Sequence, residues 1–371
     1  MKRFRYMISG GGTGGHIYPA IAIAQEIMRR NPEAEIMFVG ARDRMEMQKV
    51  PQAGFPIRGL WIAGFQRRLT LKNLIVPIKL MVSLLQAVFL LKSFRPNVVV
   101  GTGGFASGPL LRMATLFGIP TLIQEQNSYP GVTNKMLARG AKKICVAYQN
   151  MEQFFPKEKV VYTGNPVRQD LLSLGLESKN ALAHFDLAQD SSAQKASKRG
   201  LVLLVLGGSL GARRINSLVA QKLNFFKTHN VRVIWQCGAF YYDEYKDLTS
   251  QTTRVVPFID NMAMAYAAAD IIISRSGALS VSELALVGKP VLFIPSPNVA
   301  EDHQTKNAQA LVDQNAAIML KEAALEEEFE AVFTRLIQEE SYRNALGTAI
   351  KSTAMPDATR DIVDQLSALS S

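Results

Sequence analysis

The sequence predicts an α/β chain built from two doubly wound, Rossmann-like domains in tandem, and three observations carry that expectation. Short apolar runs alternate with helical stretches through the first half, the pattern of a parallel sheet with helical crossovers. The same pattern restarts near residue 201. At 371 residues the chain is also long for a single hydrophobic core,.

In the first half, strands are predicted near Phe4–Ile8, Glu35–Val39, Val98–Val100, Thr121–Ile123 and Ile144–Val146. The first runs into "SGGGTGGHIYPA" (residues 9–20), five glycines around one Thr with His16 behind them, and a helix is predicted over Ala20–Arg30. Glycine clusters mark turns or close backbone approaches that no other residue allows. A strand, a glycine turn and a helix start together make a ready anion site. The third strand enters a second such turn, "VVVGTGGFASGP". The halves join near Thr163–Val167, and the small polar run at residues 190–199 reads as a surface loop.

The second half opens on "LVLLVLGGSLGARRIN", again strand, glycine turn and helix. Strands follow at Arg232–Gln236, Arg254–Val256, Asp270–Ser274 and Pro290–Ile294. In such folds ligands bind at the carboxyl ends of the strands, where all three glycine turns fall.

Composition narrows the function classes. Apolar residues at 48% and charged residues at 20% describe a folding chain,. Cys145 and Cys237 stand far apart and read as buried thiols, and four scattered histidines offer no zinc spacing,. The basic N-terminus precedes too few apolar residues for a signal peptide. Residues 1–165 hold 22 Lys and Arg against 8 Asp and Glu, a balance of +14, whereas the remainder is nearly neutral. A basic half points to nucleic acid, an anionic membrane or an anionic substrate. No zinc-finger, RNP-like or basic-heptad pattern supports nucleic acid. The membrane is favoured by "LIVPIKLMVSLLQAVFLL" (Leu74–Leu91), which is mostly apolar but broken by Pro77, Lys79, Ser83 and Gln86. It is marginal for a transmembrane helix and fits a surface-lying segment, a buried core helix, or both at once with one face in the core and an exposed end touching lipid.

A dinucleotide site is disfavoured, because Gly40 stands directly after the second predicted strand where an acidic residue is expected,. No Lys-Ser/Thr pair makes a Walker loop. The more specific chemistry is "SRSGALSVSE" (Ser274–Glu283), a strand end opening a helix whose amides and hydroxyls suit a diphosphate,. Glu283 could accept from the vicinal hydroxyls of a ribose, or be a solvated helix charge. Further on, Asp302, His303, Gln304 and Asn307 form a polar cluster suited to sugar hydroxyls, or an ordinary helix start capped by Asp302.

Taken in order, "GGTGGHIYPA", "GTGGFASGP", "EQNSYPG", "TGNPVR", "LGGSLGA", "FIDNM", "SRSGALSVSE" and "DHQTKNA" resemble the MurG family of peripheral membrane glycosyltransferases. That resemblance covers essentially the whole chain. It implies the GT-B architecture, two Rossmann-like domains facing across a cleft: an acceptor- and membrane-facing domain at 1–164, a UDP-GlcNAc-binding domain at 165–355, and a C-terminal helix about 356–371 returning to the first. It implies transfer of N-acetylglucosamine from UDP-GlcNAc to the MurNAc-pentapeptide of undecaprenyl-pyrophosphate lipid I, giving lipid II, at the cytoplasmic face of the bacterial inner membrane. Further partners implied are an anionic membrane surface and other cell-wall synthesis proteins, with no nucleic acid, no metal and no other cofactor.

Carried over by motif, the uracil lies near the backbone of Ile259 and Glu283 takes the ribose. Ser209, Arg168 and the helix start Ala278, Leu279, Ser280, Val281 and Ser282 serve the nucleotide and diphosphate. Gln304 and Asn127 contact the sugar, and Thr13, Gly14 and Gly15 complete the donor site. Gly14, Gly15, Gly103 and Gly104 face the acceptor diphosphate. His16, an imidazole beside the reacting sugar, is the candidate general base, with the alternative that it only hydrogen-bonds substrate; with Glu283 it makes up the catalytic assignment. A UDP-sugar epimerase, a transferase with another lipid acceptor and a UDP-sugar sensor are the competing readings.

Overall fold

The computed structural model describes residues 4–64, 75–167, 181–187, 200–208 and 210–370. The chain divides into two units: 1–168 with 355–371, and 169–354.

The first unit begins β1 (Arg5–Gly10), α1 (Gly14–Arg30), β2 (Glu35–Ala41), α2 (Glu46–Gln52), β3 (Ile57–Leu60) and α3 (Val76–Phe94). It continues β4 (Val98–Gly103), α4 (Ser107–Leu116), β5 (Thr121–Glu125), α5 (Val132–Leu137), β6 (Lys143–Val146) and β7 (Val160–Tyr162). These strands form one parallel sheet in the order β3-β2-β1-β4-β5-β6-β7. Alternation along β1 serves both faces: Tyr6 and Ile8 enter one buried cluster and Met7 the other. A parallel sheet needs both faces covered, which is why its strands read as apolar runs.

The second unit runs α6 (Ala181–His184), β8 (Leu201–Leu206), α7 (Arg213–Thr228), β9 (Val231–Gln236), α8 (Tyr242–Tyr245), β10 (Thr253–Val256) and α9 (Met262–Ala268). Then come β11 (Ile271–Ser274), α10 (Ala278–Val287), β12 (Val291–Phe293), α11 (His303–Val312), β13 (Ile318–Met319), α12 (Leu325–Gln338) and α13 (Glu340–Ser352). The sheet is again parallel, in the order β10-β9-β8-β11-β12-β13. The chain ends in α14 (Ala358–Ser370), which belongs to the first unit. Its Ile362, Val363 and Leu366 are buried in the cluster that holds Ile17, Ile23 and Ile27 of α1, and Arg30 of α1 pairs with Asp364.

Three short edge or near-edge strands, β3, β7 and β13, were absent from the expected set. The first helix also starts earlier than expected, at Gly14, with Pro19 inside it. A proline there removes one amide and crowds the carbonyl four residues back; that residue is Gly15, which lacks a side chain.

The apolar segment at 74–91 becomes α3 from Val76 onward, with Ile75 as the residue before it; Leu74 lies outside the described residues. By length and composition α3 could cross a membrane. In this unit it instead buries one stripe, Val76, Ser83, Ala87 and Leu91, beside α4. Ile78, Met81, Leu85 and Phe89 are 58%, 63%, 69% and 71% exposed. The segment is therefore not a wholly buried core helix, because the face opposite that stripe carries large apolar groups outward. The polar run at 190–199 lies outside the described residues.

Candidate functional site

In both units the strand order reverses beside the first strand, between β1 and β4 and between β8 and β11. The loops leaving adjacent strands part at such a point, which opens a crevice at their carboxyl ends. The glycine turns sit there.

In the first unit the two turns pack against each other. Gly11 donates its amide to the Gly103 carbonyl at 3.3 Å. Gly103 and Gly104 have φ of 106° and 91°, and a Cβ on Gly104 would overlap the Gly11 carbonyl. Thr13 is the exposed residue before α1, Gly14 and Gly15 form its first turn, and His16 follows, half-buried. The His16 Nδ1 lies 3.0 Å from the Gly11 carbonyl and 3.4 Å from the Thr13 hydroxyl. Its Nε2 side lies against Gly103, where a Cβ would stand 2.9 Å from Nε2. Thr13, Gly14, Gly15, His16, Gly103 and Gly104 are thus brought together by two strand ends. Asn127 follows β5, and the buried carboxylate of Glu125 orders its loop by accepting from the Asn127 amide at 3.0 Å, the Gly131 amide at 3.1 Å and Asn134 Nδ2 at 2.8 Å.

In the second unit, Gly277 precedes α10 in extended conformation, so Ala278, Leu279, Ser280 and Val281 form a helix start at the end of β11, with Ser282 and Glu283 just beyond, both half-buried. The leading amides of a helix have no intrahelical acceptor and carry the positive end of its dipole. Ser276 latches this turn to α11 by donating to the Gln304 carbonyl at 2.8 Å, while Gln304 Oε1 accepts from the Ser296 amide at 2.8 Å. Of the expected polar cluster, Asn307 points inward: it is fully buried and its Nδ2 donates to the Ser276 carbonyl at 3.3 Å. Asp302 is exposed at the α11 start and accepts from Thr305 at 2.7 Å. Ile259 is buried and donates its amide to Gln236 Oε1 at 2.9 Å. Arg168 and Ser209 lie outside the described residues.

Sequence reasoning missed Glu46, Glu125, Gln236 and Ser276, the side chains that hold these loops. Only Glu125 and Ser276 fall within quoted motifs. Cys145 and Cys237 are both buried and free, and burial pushes the Cys145 thiol up to about 12, which leaves it no thiolate to react with near neutrality,.

Two Rossmann-like units, each with glycine turns at the switch point of its sheet, are the make-up of a GT-B glycosyltransferase. Comparison with known proteins agrees. The glycosyltransferase family 28 N-terminal domain matches residues 6–146 and its C-terminal domain residues 202–362. The chain belongs to glycosyltransferase family 28. It is 56% identical, over 99% of its length and 98% of the relative's, to a Flavobacterium psychrophilum protein named UDP-N-acetylglucosamine--N-acetylmuramyl-(pentapeptide) pyrophosphoryl-undecaprenol N-acetylglucosamine transferase. A protein of the same name from Christiangramia forsetii is 57% identical over 98% of this chain and 97% of the relative. Among solved structures, Acinetobacter baumannii MurG aligns with a TM-score of 0.79 at 31% identity, over 98% of this chain and 99% of that one.

Proposed function

We propose that this chain is an inverting hexosyltransferase that moves N-acetylglucosamine from UDP-GlcNAc to the 4-hydroxyl of the MurNAc-pentapeptide of undecaprenyl-pyrophosphate lipid I, giving lipid II for peptidoglycan. The observation that carries this reading is the end-to-end likeness to transferases of that name. Anion-ready helix starts in both units supply the matching chemistry.

The second unit holds the donor. Ile259 lies by the uracil, Glu283 accepts from the ribose hydroxyls, and the α10 start with Ser280 and Ser282 receives the diphosphate, aided by Arg168 and Ser209. Gln304 takes the sugar, and Asn127 and Thr13 of the first unit are assigned to the same donor. In the first unit, Gly14, Gly15, Gly103 and Gly104 offer backbone to the acceptor diphosphate. The acceptor oxygen attacks C1 as the bond from C1 to the UDP oxygen breaks, so configuration inverts in one displacement. Charge gathers on the leaving diphosphate, where the helix dipole stabilises it.

His16 takes the hydroxyl proton. A carbonyl oxygen can only accept, so when Nδ1 bonds to Gly11 it carries the ring proton, and Nε2 of the neutral imidazole keeps its lone pair. That is the protonation state a general base needs.

The protein works as a peripheral enzyme at the cytoplasmic face of the inner membrane. The helix α3 carries its exposed apolar face together with Lys79 and Lys92, and Arg95 follows it directly, a combination suited to acyl chains beneath anionic headgroups,. UDP release that requires a short-chain lipid I analogue tests the function. Release of UDP or interconversion of the sugar without acceptor would point to the epimerase reading.

A further inference from the structure

The peptide unit joining Gly11 to Gly12 is hydrogen-bonded at both ends. Its N–H donates to Glu46 Oε2 at 3.0 Å, and its C=O lies 3.0 Å from His16 Nδ1. Glu46 begins α2 and is fully buried; its other oxygen accepts from the Ala41 amide at 3.0 Å. A Cβ on Gly11 would overlap this carboxylate, and one on Gly40 would stand 2.5 Å from Glu46 Cγ. Glycine at these two positions is what lets a side chain from α2 reach the loop.

We propose that Glu46 is a positioning residue for His16, acting through the intervening peptide. A carboxylate on the N–H end fixes the peptide plane and polarises it, which concentrates negative charge on the carbonyl oxygen that faces Nδ1. The carbonyl then holds the proton on Nδ1 and leaves Nε2 as the basic nitrogen. The logic is that of an acid orienting a catalytic imidazole, with one peptide unit inserted between them. Thr13, the Gly11 carbonyl and Gly103 lie against the ring, and none of them titrates. Glu46 reaches the ring through the peptide.

This inference rests on the reading of His16 as base, and the experiment separates the two. The neutral tautomer of His16 is read from imidazole nitrogen shifts in the full-length protein labelled at histidine, with the signal assigned by its loss in His16→Ala. Wild type is expected in the Nδ1–H form. Glu46→Gln, which keeps the size but loses the charge and one acceptor, should give a mixture of tautomers. In that variant kcat should fall about 10- to 100-fold, less than the roughly 10⁴ lost when the acid of a catalytic triad is neutralised, because a peptide unit intervenes. The KM for UDP-GlcNAc should stay within about twofold. Glu46→Asp should recover part of both signals. An unchanged tautomer in folded Glu46→Gln overturns the relay. A shifted tautomer with unchanged turnover keeps the relay and overturns the base. Should Glu46→Gln fail to fold, an Nε2–H tautomer in wild type overturns the proposal by itself.

Discussion

The side chain of Gln236, at the end of β9, bridges two loops: Oε1 accepts from the Ile259 amide at 2.9 Å and Nε2 donates to the Gly208 carbonyl at 3.1 Å. One amide group thereby ties the glycine turn after β8 to the loop after β10. Both loops are expected to hold the nucleotide, so their mutual spacing is set by a residue that need not touch it. Gln236→Ala leaves the buried Ile259 amide unmatched, a loss of roughly 1–3 kcal/mol. If half of that falls on the bound state, UDP affinity drops about 2- to 12-fold. Calorimetric titration of UDP checks this, with kcat at saturating donor expected to change much less.

Removing the His16 imidazole should cost turnover and spare donor binding. His16→Ala is expected to lower kcat by roughly 10²–10⁴, the usual contribution of a general base. UDP affinity should match wild type. Turnover largely intact with normal UDP binding would make His16 a binder only.

Gly104 has no room for a side chain. With φ at 91° and the Gly11 carbonyl in the place of its Cβ, Gly104→Ala should strain the backbone and push the two turns apart. A destabilisation of roughly 1–3 kcal/mol is expected, read from the denaturant midpoint, together with a fall in activity beyond the stability loss.

The exposed face of α3 makes an opposite prediction. Leu85→Ser with Phe89→Ser should leave folding within about 0.5 kcal/mol, because neither side chain is buried. Binding to anionic vesicles should weaken at least about tenfold, since each side chain would otherwise bury an apolar group worth roughly 1.5–3 kcal/mol in lipid. Co-sedimentation measures it. Unchanged binding by the folded variant would move the membrane contact elsewhere.

The docking of α14 should weaken in acid. The hydrogen bond from Arg29, opposed by partial burial and joined by that from Arg30, holds the Glu26 carboxyl down at about 2. Arg30 also pairs with Asp364 and donates to the Arg360 carbonyl of α14 at 3.0 Å. A carboxyl lowered on folding stabilises the fold above its ordinary value of 4.5, and that contribution disappears as pH falls toward 2,. Glu26→Gln should therefore cost roughly 0.5–1 kcal/mol at pH 6 and nothing near pH 2, read by urea unfolding at both.

Much of this was legible in the sequence for a physical reason. Strands buried on both faces, such as β4 and β8, write themselves as apolar runs, and loops that bring backbones close write themselves as glycine. Two such patterns in tandem identified both sheets. The strands β3 and β7 and the two-residue β13 left no trace, since "IRGL", "VVY" and "IM" are too short for a period to show. The start of α1 was misplaced because glycines and a proline normally argue against helix. Glu46 and Gln236 were illegible for another reason. Each lies far along the chain from what it holds, and a lone Glu in "RMEMQ" or Gln in "IWQCG" carries no spacing signal. Only the folded sheet brings Glu46 to Gly12 and Gln236 to Gly208.

The measurement that bears most directly on the account is transfer of labelled sugar from UDP-N-acetylglucosamine to a short-chain lipid I analogue, run beside an acceptor-free control. The account predicts label in a disaccharide lipid, with stoichiometric UDP, only when the acceptor is present. UDP-sugar binding with no label in lipid, or conversion of the sugar without acceptor, would contradict it.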